Sequence, residues 1–123
     1  MTRQKVMIVD DSDLVLEIYK NALESAGFEV ITRNTPFGTA SLISSEKPNL
    51  VLLDIFMPAL SGDKLVELVR KDKNIKNTKL LLFSDRPVDE LKSVSATCGA
   101  DGFIQKTRDH MDVVRKVQSW IAV

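Results

Sequence analysis

The feature that constrains the fold most is an alternation. Short β-branched or leucine-rich runs alternate five times with segments whose apolar residues recur at helical spacing. Val6-Met7-Ile8-Val9, Leu50-Val51-Leu52-Leu53 and Leu80-Leu81-Leu82-Phe83 are continuous apolar runs. That is the pattern of strands buried on both faces. Phe28-Glu29-Val30-Ile31 is interrupted by a charge, and Gly102-Phe103-Ile104 is brief, so both read as edge strands.

A helix is predicted after each run. Ser12 or Asp13 caps the first, whose stripe holds Val15, Ile18, Tyr19, Ala22, Leu23 and Ala26 before Gly27 ends it. Thr35 with Pro36 is expected to start the second, which runs toward Glu46 and closes at Pro48. The third follows a loop containing Pro58 and Gly62 and carries Leu65, Leu68 and Val69. Pro87 opens the fourth, with Val88, Leu91, Val94 and Cys98 on one face, and Gly99 stops it. The fifth bears Val113, Val114, Val117, Trp120 and Ile121.

Five strand–helix units without a linker or repeat predict one α/β domain over residues 1–123. With strands two and five at the edges, the expected architecture is a three-layer, doubly wound, flavodoxin-like fold. It has a five-stranded parallel sheet in the order 2-1-3-4-5 and five helices. Such a sheet binds ligands outside the carboxyl ends of strands one and three, where the winding reverses.

Composition removes several classes of function. Hydrophobic residues make up 44% and charged residues 28%, enough for a packed and soluble domain. Lys plus Arg equals Asp plus Glu at 17 each, which argues against a basic nucleic-acid binder. Cys98 is the single cysteine and His110 the single histidine, so neither a disulfide nor a cysteine or histidine metal cluster is available. No apolar run approaches membrane-spanning length and no signal-peptide pattern opens the chain, so the expected location is cytoplasmic.

The residues at the predicted crevice are chemically pointed. Strand one ends in Asp10-Asp11 and strand three in Asp54, while Ser84 ends strand four and Lys106 follows strand five. Three close carboxylates repel unless a cation compensates. Their oxygens suit Mg²⁺, and a carboxylate can act as a nucleophile toward phosphorus. Lys106 and Ser84 offer a point charge and a hydroxyl to a phosphoryl group. The set suggests Mg²⁺-assisted phosphoryl transfer onto Asp54.

The chain here resembles the receiver domain of bacterial two-component response regulators, from Lys5 to Trp120. The likeness rests on four pieces in order. They are Val9-Asp10-Asp11-Ser12, then Leu53-Asp54-Ile55-Phe56-Met57-Pro58 with Gly62, then Phe83-Ser84, then Gly99-Ala100-Asp101-Gly102-Phe103-Ile104-Gln105-Lys106. The resemblance implies that Asp54 is the phosphoacceptor, charged by a histidine kinase or phosphotransfer protein. It implies that Asp10, Asp11, Asp54 and the backbone carbonyl of Phe56 hold Mg²⁺. Lys106 and Ser84 would contact the phosphoryl group, with Phe103 swinging inward behind Ser84. The face of helix four, strand five and helix five would then signal to an effector domain or protein. Such a domain is not an enzyme on a separate substrate, though it assists its own phosphoryl transfer and hydrolysis. A homodimer is compatible with this reading.

Two residues depart from the family pattern. Asp85 stands where a small residue usually follows the hydroxyl of strand four. Thr107 replaces the proline that usually follows the lysine, so a trans bond is expected there. Both motivate a competing reading, a pseudo-receiver that docks partners independently of phosphorylation. A flavin-binding enzyme of flavodoxin type is the third reading, disfavoured because Asp10-Asp11-Ser12-Asp13 would repel a cofactor phosphate. Taken singly, the same residues have plainer roles. Asp10, Asp11 and Asp13 suit a helix N-terminus, Ser84 a loop hydroxyl and Lys106 a solvated charge. Phe103 suits the core, and Gly62 need only permit a loop conformation. Cys98 is expected in the core, His110 on the surface, and Trp120 against the sheet or capping the domain.

Overall fold

In the computed structural model, residues 3–122 are described, so Met1, Thr2 and Val123 of the expected domain lie outside the described residues. The element order is β1 (Lys5–Val9), α1 (Asp13–Ser25), β2 (Glu29–Arg33), α2 (Thr39–Glu46), β3 (Leu50–Leu53), α3 (Gly62–Arg70), β4 (Lys79–Ser84), α4 (Val88–Cys98), β5 (Gly102–Gln105) and α5 (His110–Ala122). All four strand pairings are parallel, and the sheet order is β2-β1-β3-β4-β5. This is the doubly wound sheet that the alternation predicts.

The two-residue period of the strands divides the core in two. Val6, Ile8, Leu50, Leu52, Leu81 and Phe83 point to one face, under Leu16, Tyr19 and Leu23 of α1 and Val113, Val114 and Val117 of α5. Met7, Val9, Val51, Leu53, Leu80 and Leu82 point to the other, under Ile43 of α2, Leu65, Val66 and Val69 of α3, and Leu91 and Cys98 of α4. β1, β3 and β4 are thus sandwiched on both sides, which is why their sequences read as unbroken apolar runs.

Two local expectations change, and the choice between Ser12 and Asp13 as the first cap is decided. The second helix starts at Thr39, with Gly38 as its N-cap at φ 75°. Thr35 and Pro36 instead form the preceding turn, where Thr35 Oγ1 accepts from Phe37 N–H and the Pro36 carbonyl accepts from Thr39 N–H. Leu68 of α3 is 48% exposed and Val88 of α4 39% exposed, so neither belongs to the core stripe. Val66 and Ser95 are buried in those helices instead. Ser12 rather than Asp13 caps α1, accepting from Val15 N–H at 3.3 Å. No helix among the described residues is long and apolar enough to cross a membrane.

Candidate functional site

The sheet ladder carries the site beyond the ends of the strands. Val9 pairs with Leu53 in register. One residue further, Asp10 N–H donates to the Arg33 carbonyl at 3.0 Å and Asp54 N–H to the Val9 carbonyl at 2.9 Å. Lys106 N–H likewise donates to the Ser84 carbonyl at 2.8 Å. Asp10, Asp54 and Lys106 are therefore fixed through the backbone at the carboxyl edge of the sheet. Adjacent strands lie about 4.8 Å apart, so carboxylates at matched positions must meet.

They do meet. Asp10, Asp11 and Asp54 each offer a carboxylate oxygen, and these oxygens all lie within 4.8 Å of one another. Asp10 and Asp54 are buried, at 1% and 7% exposure, while Asp11 faces solvent. The Lys106 ammonium enters the cluster 2.7 Å from Asp10 Oδ2 and 3.6 Å from Asp54 Oδ1. It also sits 5.2 Å from the centroid of the Phe83 ring. Backbone amides complete the setting: Ser12 N–H donates to Asp10 Oδ1 at 2.9 Å, and Phe56 N–H to Asp54 Oδ1 at 3.4 Å.

Burial pushes the Asp54 carboxyl up to about 6. Lys106 and the Phe56 amide pull against that rise, and the charges of Asp10 and Asp11 reinforce it. The site thus opposes ionisation of Asp54, and a cation beside that carboxylate would favour its charged form.

Ser84 is buried at 1% exposure, and its Oγ accepts from Arg86 N–H at 3.2 Å. Phe103 is half-buried and packs on the α2–α3–α4 side of the sheet, while its neighbour Ile104 faces the α1–α5 side. Phe56 is 54% exposed. Its ring carries the Arg86 guanidinium at 5.0 Å, which bridges the loops after β3 and β4.

The two departures leave the cluster intact. Asp85 is exposed, and the charges that shift Asp54 most are those of Lys106, Asp10 and Asp11. Arg86 pairs with Glu90 at 3.2 Å rather than with Asp85. No cis peptide bond occurs among the described residues, so Lys106–Thr107 is trans as expected. Cys98 is buried, His110 is exposed, and Trp120 lies over Gly102, where an added Cβ would approach its ring to 2.5 Å.

Two contributors escape a reading of the sequence. Gly62 opens α3 rather than easing a loop bend, and a Cβ on it would lie 2.2 Å from the Asp54 carbonyl oxygen. Its role is close approach to the backbone of Asp54. Tyr19 sits in an otherwise aliphatic stripe and donates its hydroxyl to the Thr107 carbonyl at 3.3 Å. The available signal was its polar tip, since a buried tyrosine hydroxyl needs a partner.

The chain matches the family described as response regulator receiver domain over residues 6–118. It is 26% identical over 119 residues to the phosphate regulon transcriptional regulatory protein PhoB of Pseudomonas aeruginosa, covering 97% of this chain and 52% of that protein. It is 28% identical over 102 residues to protein PilG of the same organism, covering 83% and 76%. The chain spans about half the length of several curated relatives, PhoB among them. Among solved structures, the chemotaxis response regulator CheY4 of Vibrio cholerae superposes with a TM-score of 0.87 at 25% identity, covering 97% of this chain and 99% of that one. A CheY-like receiver domain protein from Methanospirillum hungatei gives 0.85 at 28% identity, covering 98% and 95%. Matched over nearly its whole length, with its acidic residues gathered where the sheet reverses, the chain belongs to the receiver domain family of two-component response regulators.

Proposed function

We propose that the domain accepts a phosphoryl group on Asp54 with the help of Mg²⁺, from a histidine kinase or a phosphotransfer protein. The observation that carries this reading is the convergence of Asp10, Asp11 and Asp54 oxygens within 4.8 Å, beside the Lys106 ammonium. The donor set fits a hard divalent cation, because it consists of carboxylate oxygens with one exposed member open to hydrated ions. Asp10, Asp11, Asp54 and the Phe56 carbonyl would hold it. When bound, the ion supplies charge neutralisation to the transferring phosphoryl oxygens.

The remaining chemistry belongs to the chain. An Asp54 carboxylate oxygen forms a bond to phosphorus while the bond from phosphorus to the donor atom breaks, and the donor leaves with that electron pair. Lys106 stands 3.6 Å from Asp54 and can turn its ammonium from carboxylate to phosphoryl oxygen. Ser84 Oγ, which accepts from the Arg86 amide, can donate its proton to a phosphoryl oxygen. Half-buried Phe103 can follow Ser84 inward and alter the α4–β5–α5 face that an effector reads. Phosphorylation then biases a two-state equilibrium, with a coupling of about 1–3 kcal/mol. The protein assists a transfer to and from itself and has no separate substrate to turn over. A cytoplasmic location agrees with such a module.

Incubation with acetyl phosphate and Mg²⁺, followed by intact-mass spectrometry, tests the reading. One phosphoryl group should add to the wild type and none to Asp54→Asn. A wild type that gains no mass at any Mg²⁺ or donor concentration overturns it.

A further inference from the structure

We propose that Tyr19 is a positioning residue for Lys106, acting through the loop that follows β5. The inference rests on the phosphoacceptor reading above for its consequence, though not for its geometry. Tyr19 lies on α1, remote in sequence from that loop, and its hydroxyl donates to the carbonyl of Thr107, the residue directly after Lys106. The phenol is 5% exposed. Its ring meets Phe83 edge-on at 4.9 Å, and Phe83 in turn lies under the Lys106 ammonium at 5.2 Å. One aromatic pair therefore brackets the lysine: the ring of Phe83 lies beneath its head, and the hydroxyl of Tyr19 holds the carbonyl of the next residue, Thr107.

The other restraints on this segment act on the Lys106 amide and the Thr107 side chain, whereas Tyr19 holds the Thr107 carbonyl. Lys106 N–H is tied to the Ser84 carbonyl, which fixes the residue where it leaves the sheet. Thr107 Oγ1 donates to the Asp109 carbonyl, and the Thr107 side chain also hydrogen-bonds Asp112 in the first turn of α5. The Tyr19 bond ties the Thr107 backbone carbonyl to α1. The exposed His110 ring packs edge-on against Tyr19 at 5.2 Å, so the start of α5 rests on the same side chain. Burial and the charge of Asp10 hold the phenol above its ordinary range, so it stays a donor through neutral pH.

An O–H···O contact of 3.3 Å is long, and the carbonyl it serves is only part-buried. Water can replace it at little cost to stability. Its value is directional, in aiming an ammonium that must reach a phosphoryl oxygen, and small misplacements of such groups slow reactions well before they unfold proteins.

The test is Tyr19→Phe, which keeps the ring and removes only the hydroxyl. Phosphorylation of Asp54 by acetyl phosphate with Mg²⁺ is timed in the wild type, Tyr19→Phe, Lys106→Met and the double variant. Tyr19→Phe should slow the wild type by about 3- to 10-fold and should not slow Lys106→Met further. Equal rates in Tyr19→Phe and wild type, or the same slowing in both backgrounds, overturn the proposal. A second readout needs no phosphorylation: the NMR resonance of the Lys106 side-chain Cε should move in Tyr19→Phe, and an unmoved resonance overturns the proposal. A wild type inert to acetyl phosphate with a shifted Lys106 resonance would instead count against the phosphoacceptor reading and leave the positioning role supported.

Discussion

Lys106 Nζ lies 2.7 Å from Asp10 Oδ2, joining residues 96 positions apart across the carboxyl edge of the sheet. The Asp10 side chain is 2% exposed and that of Lys106 18%. Without the ammonium, a buried carboxylate would face two others with no cation nearby. Deleting one partner of a buried pair costs about 3–5 kcal/mol, and the partial exposure of the lysine head puts this pair at or below the low end. Lys106→Met should therefore lower the unfolding free energy by about 2–3 kcal/mol in urea titrations with EDTA at pH 7.5. Adding Asp10→Asn should restore part of the loss, because it removes the orphaned charge. An additive double variant would show that the two side chains do not depend on each other.

The Asp54 carboxyl titrates near 6 in the folded chain against an ordinary value of 3.8. Between those values the folded protein holds a proton that the unfolded chain has released. Stability therefore falls as pH rises through this window, and the penalty is complete above the folded value. Asp54→Asn removes the penalty. The metal-free variant should be about 2 kcal/mol more stable than wild type at pH 7.5, and the difference should vanish near pH 4. Paired denaturation curves at both pH values decide it. A variant less stable than wild type at pH 7.5 would mean that Lys106 outweighs burial at this carboxylate.

The strand order and the site were legible in the sequence for the same reason. Neighbours such as Val51 and Leu52, or Leu82 and Leu81, enter apolar clusters on opposite sides of the sheet, so their runs carry no polar interruption until the strand ends at Asp54 or Ser84. The change from apolar to acidic marks both the end of the strand and the start of the crevice. Other features depend on partners far along the chain. Pro36 is compatible with a helix start, but the left-handed backbone at Gly38 places that start at Thr39. Leu68 fits the helical period yet is 48% exposed, outside the stripe of Leu65, Val66 and Val69 that α3 buries. Tyr19 reads as one more apolar residue until Thr107, 88 positions away, is beside it.

Gly62 illustrates a glycine required by proximity rather than by backbone angle. A Cβ there would stand 2.2 Å from the Asp54 carbonyl oxygen and 2.8 Å from its carbon, and backbone atoms cannot swing aside. Gly27 is the reverse case, with open space around it but φ at 97°. Gly62→Ala should cost about 3 kcal/mol and shift the amide resonances of Asp54 through Phe56. Gly27→Ala should cost about 1 kcal/mol and leave the site's resonances in place. Thermal denaturation with two-dimensional NMR distinguishes the two, and similar losses with similar shifts would refute the distinction.

Asp85 adds a carboxylate one residue beyond Ser84, and its formal charge invites the expectation that it repels an incoming phosphoryl group. The structure argues otherwise. Asp85 is exposed, whereas the charges that move Asp54 most are those of Lys106, Asp10 and Asp11. An exposed charge acts through water, where screening over a Debye length of about 8 Å at physiological salt weakens it. Arg86 next to it is held over Phe56 and against Glu90, so it neither draws Asp85 inward nor depends on it. Asp85→Ala should then change the rate of Asp54 phosphorylation by acetyl phosphate by no more than about 2-fold at physiological ionic strength. The small effect should grow as salt is lowered, as expected of a long-range repulsion between exposed charges. A ten-fold acceleration that persists at high salt would place the Asp85 carboxylate inside the reacting site.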